Sequence, residues 1–148
     1  MKKLILSLSI FTSTICLGQS NAFGPTLSYQ NQSGNFIKIG GYYMRIASNS
    51  FGIKVDATAN LAHMRNNFVA IPEAGISIFP NADLLASPYF EGEITPYTVT
   101  PKLGLSLVHV LDLNIGYGFE MDVKNDFKPV KGFTFSLGIS IPLNQILD

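Results

Sequence analysis

Few side chains in this 148-residue chain could do chemistry, and their spacing decides what chemistry that would be. Glu91 and Glu93 stand two apart, so on a strand both carboxylates share one face, a geometry that general acid and base catalysis can use. A salt-bridged cluster explains the same pair without a reaction, because Lys102 and Glu73 fall on the segments expected to flank it. His63 and His109 lie at the ends of different segments with no convincing acidic partner, which fits exposed rim residues better than a metal site. Ser106 and His109 are three positions apart, so on a strand they point to opposite faces and form no nucleophile–base pair. Glycines are scattered instead of gathered in a phosphate-cradling loop between strand and helix. The expectation is a protein with no catalytic residue, no cofactor and no metal.

The elements that carry these residues show one period. Leu111, Leu113, Ile115, Tyr117, Phe119, Met121 and Val123 alternate with Asp112, Asn114, Gly116, Gly118, Glu120 and Asp122. Such period-two alternation is the mark of a strand with one apolar face. It recurs over 51–61 and 133–143, and no sustained 3.6-residue period appears beyond the first 17 residues. Turn-forming clusters such as Asn31-Gln32-Ser33-Gly34, Arg65-Asn66-Asn67 and Pro80-Asn81-Ala82-Asp83 divide the chain. Eight strands are predicted, at 22–30, 35–47, 50–63, 67–79, 86–95, 97–109, 111–123 and 131–143. The fold class is all-β, a closed antiparallel up-and-down barrel of about eight strands. In the second segment the apolar face changes phase from Ile37 and Ile39 to Tyr42, Met44 and Ile46, and a bulge at Gly40-Gly41 would account for it. Residues 80–101 fit least well, because Pro88, Pro96 and Pro101 cannot donate to a ladder.

Met1-Lys2-Lys3 followed by the apolar run Leu4 to Leu17 has the layout of a secretory signal peptide, too short for a spanning helix. The expected organisation is a signal peptide at 1–18 and one barrel domain at 19–148, with Gln19 as the first mature residue. Cys16, the only cysteine, leaves with the signal, so neither a disulfide framework nor a thiolate site is expected. Loss of Lys2 and Lys3 lowers the basic count from 10 to 8 against 10 acidic residues, a net charge of −2 that excludes a nucleic-acid footprint. Charged residues make up 14% of the chain and hydrophobic ones 47%, whereas a soluble domain carries about 25% charged residues.

Two barrels share this pattern, one with its apolar face outward in lipid and one with it inward around an apolar ligand. The opposite face favours the first. It carries Lys38, Arg45, Lys54, Asp56, Glu73, Glu91, Glu93, Lys102 and Glu120 among many Gly, Ser, Thr and Asn residues, a mixture suited to a narrow lumen of paired charges. Asp56, Glu73, Glu91 and Lys102 are expected at mid-height, Lys38, Glu93 and Glu120 toward the outer mouth, and Arg45 and Lys54 toward the end that holds the termini. Strands of 10–13 residues, rising about 3.3 Å each and tilted, reach about 25 Å, the height of a bilayer's apolar band. A soluble exported barrel that binds an apolar ligand or partner, and a narrow pore, remain the alternatives.

The last predicted strand, Ser136-Leu137-Gly138-Ile139-Ser140-Ile141-Pro142-Leu143, resembles the C-terminal insertion signal of outer-membrane barrels at Ser136, Gly138, Ile141 and Leu143. With the signal peptide and the meander, the chain from Gln19 to Leu143 resembles the small eight-stranded OmpA/OmpX-like outer-membrane barrel family. That resemblance implies outer-membrane localisation, a monomer that meets membrane lipid and the barrel insertion machinery, and a structural or interaction role. The chain departs from the pattern in its short loops and in the tail Asn144 to Asp148, which follows Leu143 where a terminal aromatic is usual.

Overall fold

The computed structural model describes residues 21–47, 49–122 and 131–146. The proposed signal peptide and its cleavage site lie outside them. Eight strands follow the predicted segments closely: β1 (Asn21–Asn31), β2 (Asn35–Ile46), β3 (Gly52–Met64), β4 (Asn67–Phe79), β5 (Ala86–Ile94), β6 (Thr98–Leu107), β7 (Leu111–Glu120) and β8 (Gly132–Ser140). Each pairs antiparallel with its neighbour in sequence, and β1 pairs with β8 from Thr26↔Ser140 to Asn31↔Phe135, which closes the barrel. Closure removes the unpaired edges that an open sheet of such strands would expose. One end of the barrel, here the terminal end, carries Asn21, the connections at 47–51 and 80–85, and the turn at 108–110; the distal end carries the turns at 32–34 and 65–66 and the connection at 95–97.

Strand alternation now has a direction. Leu27, Ile39, Val55, Ile76, Phe90, Leu103, Ile115 and Leu137 are exposed on the outer wall, while the polar members of each strand turn inward. Among the described strand residues, the exposed charged side chains are Arg45 and, at the distal rim, Glu120. The inward set is not uniformly polar. Phe36, Ala62, Met64, Val69 and Ile71 form an apolar plug at the distal end. Tyr42, Met44, Phe79, Ala82 and Tyr89 form a second at the terminal end, and the ions lie between.

Those plugs explain the phase change in β2. The register with β1 and β3 runs unbroken through Gly40 and Gly41, so the expected bulge is absent. Tyr42, Met44 and Ile46 instead point inward and build the terminal plug, which turns Arg45 outward and removes it from the expected lumen network. The prolines are accommodated in the same way. Pro72, Pro88 and Pro101 all face outward, and β5 is a regular strand of 9 residues. The β6–β7 ladder lapses at Thr100 and Pro101, where the proline has no N–H to donate. The chain leaves the ladder after Ser140, and Leu143, expected as the last strand residue, opens the short helix α1 (Leu143–Ile146). Asn144 ties that helix back to the start of β1 by accepting from Phe23 N at 3.2 Å and donating to Asn21 O at 2.9 Å.

Candidate functional site: the ionic lumen

Inward-pointing residues of neighbouring strands lie side by side, but a closed barrel this narrow also brings together residues from strands that share no hydrogen bond. Lys38 on β2 crosses to Glu93 on β5 at 2.5 Å and also pairs with Glu73 on β4. Lys102 on β6 reaches the other oxygen of Glu93 at 2.6 Å, so one carboxylate holds an ammonium group on each side. Gln30 accepts from both lysines, at 3.1 Å and 2.8 Å, and Ser136 accepts from Lys102 at 3.2 Å. Asn60 donates to Glu73 at 2.9 Å. The two lysine–Glu93 pairs have side chains at most 4% exposed. Burial is tolerable because each charge has a partner and most remaining donors and acceptors are occupied.

A second cluster sits nearer the terminal end. Lys54 on β3 spans the lumen to Asp112 on β7 at 2.7 Å and donates to Ser140 at 3.0 Å. Ser106 donates to the other Asp112 oxygen at 2.5 Å. Between the clusters, Asn114 donates to Glu91 and to the Tyr89 hydroxyl, each at 3.0 Å. A polar cavity of about 40 Å³ remains there, lined among others by Asp56, Glu91, Lys38, Lys54 and Asp112. It has room for a few waters and none for an apolar ligand.

Space for these long side chains comes from glycine. A Cβ on Gly116 would meet the Lys102 side chain and the Pro101 carbonyl, and one on Gly104 would meet the Tyr89 ring. The glycines of the polar face are thus the room in which lysine and tyrosine lie.

Of the residues singled out from sequence, Lys38, Lys54, Asp56, Glu73, Glu91, Glu93 and Lys102 all face the lumen. Glu120 does not join them. It lies exposed at the distal rim, 3.9 Å from Lys131. Lys102, expected among three carboxylates, forms an ion pair among the described residues with Glu93 alone, while Glu73 pairs with Lys38. Glu91 and Glu93 share a face but have separate partners, Asn114 for one and the lysines for the other. His63 and His109 lie at opposite ends of the barrel. His63 is exposed, whereas His109 is half-buried and bonded to the Ala82 carbonyl at 2.6 Å, which corrects its reading as an exposed rim residue. Ser106 is bonded to Asp112. Ser136 and Gly138 face inward, while Ile141 and Leu143 are exposed beyond the end of the ladder.

Asp112 is the main member that sequence reasoning left out. Its alternation with Leu111 and Leu113 places it on the polar face, but its partner is four strands away along the chain, so no local signal couples it to Lys54. Gln30 and Asn114 were missed for the same reason, because they meet Lys102 and Glu91 across strands that do not pair, whereas Asn60 bonds Glu73 on the adjacent β4 and was overlooked. Comparison of the chain with protein-family models, curated proteins and solved structures found no match.

Proposed function

We propose that this chain is an exported outer-membrane β-barrel with a side-chain-filled polar lumen, serving a structural or interaction role and not an enzymatic one. The observation that carries the reading is the inverted wall: large apolar side chains stand exposed on all eight strands while lysines and carboxylates are buried inside. Soluble monomers rarely present an apolar surface of that extent. Its layout supports the same reading. Phe23, Tyr43 and Phe51 are exposed near the terminal end and Tyr29, Phe68, Phe119 and Phe133 near the distal end, with mostly aliphatic residues between, as in the aromatic girdles that flank a bilayer's apolar band. In this setting the wall's partner is outer-membrane lipid, and Ser136, Gly138, Ile141 and Leu143 are the residues offered to the insertion machinery.

The alternative of a soluble barrel around an apolar ligand needs an apolar interior cavity, whereas the cavity between the ion clusters among the described residues is small and polar. A narrow pore needs a continuous wet path, which the plugs around Phe36 and Phe79 interrupt. The test is membrane fractionation. The protein should remain with membranes through a carbonate wash and require detergent for release; release by carbonate alone overturns the proposal.

A further inference from the structure

We propose that the terminal mouth of the barrel is closed by a latched lid, formed by the 80–85 connection and the Val108-His109 turn, whose release admits water and small cations to the ionic lumen. The turn is the first observation. Val110 N–H donates to Leu107 O at 3.0 Å, and both central residues are left-handed, with φ of 48° at Val108 and 57° at His109. That geometry suits a two-residue hairpin, but it is the geometry of Asn-Gly, and a β-branched residue there is strained.

The turn is held in place from across the mouth. Val108 N–H donates to Leu85 O at 2.8 Å, and His109 Nε2 bonds Ala82 O at 2.6 Å. Ala82 O can only accept, so Nε2 is the donor, and Nδ1 is buried without a hydrogen-bond partner among the described residues. The ring stands edge-on to Phe79 at 5.2 Å, and Phe79 lies 5.0 Å from Tyr89. Ala82, itself 4% exposed, sits where Met44 and Phe79 converge above Gly52. One side chain and one backbone bond therefore pin a strained turn to a connection that covers the mouth. The distal plug is built differently, from Phe36, Met64, Val69 and Ile71, all within strand ladders.

What lies behind the lid sets the class of solute. The nearest charged groups are Lys54 and Asp112, and the described lumen as a whole holds Lys38, Lys54 and Lys102 against Asp56, Glu73, Glu91, Glu93 and Asp112. A surplus of carboxylates in a confined, low-dielectric space favours cations over anions. The proposal holds whatever surrounds the outer wall, because the mouth is at the barrel's end.

Accessibility of a lumen thiol tests it. In the full chain, Cys16→Ser removes the only native cysteine, and Ser77→Cys places one thiol against the cavity, at a position 1% exposed. The probe is methanethiosulfonate-ethylammonium, a small cationic reagent, with adduct formation followed by mass spectrometry on the folded protein. Labelling should be slow in this parent and at least tenfold faster after His109→Ala. The double variant Val108→Asn with His109→Gly removes the histidine bond of the latch, leaves the backbone bond from residue 108 to Leu85 O, and gives the turn its preferred residues, so it keeps the hairpin; it too should label at least tenfold faster, with an unchanged far-UV circular dichroism spectrum. An unaltered rate in the double variant overturns the lid, as does a parent that already labels as fast as the unfolded chain. Acceleration by Phe36→Ala but not by the double variant would place entry at the distal mouth and overturn it as well.

Discussion

Lys102→Met removes one charge from the centre of the lumen while nearly preserving the length and volume of the side chain. In the parent, Lys102 Nζ is satisfied by Glu93 at 2.6 Å, Gln30 at 2.8 Å and Ser136 at 3.2 Å, with none of its side chain exposed. The substitution leaves Glu93 dependent on Lys38, which already serves Glu73. Removing one partner of a buried ion pair costs about 3–5 kcal/mol. Because Glu93 keeps one lysine, the low end, about 3 kcal/mol, is expected. Adding Glu93→Gln should recover a large part of the loss, since the buried charge left with one lysine instead of two is then gone; Glu73→Gln should recover less, because Glu73 does not touch Lys102. The internal control is Lys131→Met at the rim, where the partner Glu120 is 3.9 Å away and the lysine side chain is 57% exposed. A pair of that kind is worth about 0–1 kcal/mol. Urea unfolding of the lipid-reconstituted barrel gives the free energies by linear extrapolation. The sequence contains no tryptophan, so far-UV circular dichroism is the signal. If Lys102→Met proves no more costly than Lys131→Met, the lumen is hydrated and the argument from burial fails.

Three further outcomes follow from the same geometry. Ile115→Arg places a charge on the outer wall in the middle of β7, at a residue 50% exposed, and in a bilayer it should cost about 2–4 kcal/mol in the same urea titration; a soluble, folded Ile115→Arg protein would falsify the lipid-facing wall. Gly116→Ala drives a methyl group toward Lys102 and the Pro101 carbonyl, so it should destabilise the barrel by about 1–3 kcal/mol through overpacking, whereas an effect within 0.5 kcal/mol, about the scatter of surface substitutions, would show that the lumen can adjust. Leu143→Asp should lower the yield of heat-modifiable folded barrel on electrophoresis more than Leu147→Asp does, and equal yields would remove Leu143 from the insertion signal.

The sequence by itself determined the strands, their number and their order. Period two is a local property: Leu111 to Glu120 alternates whatever the rest of the chain does, and turn residues such as Arg65-Asn66 need only their neighbours. Which polar residues would meet was not legible, because Lys54 and Asp112 become partners only when β1 closes on β8 and the two walls face each other. The phase of β2 was misread for a related reason. Tyr42 and Met44 look like members of the outer apolar face until the barrel's end needs apolar side chains to seal it, and Arg45 then follows them by one position to the outside. A strand pattern reports which residues share a face. Only the closed wall decides which face is the interior, and where along its height that interior changes from greasy to ionic.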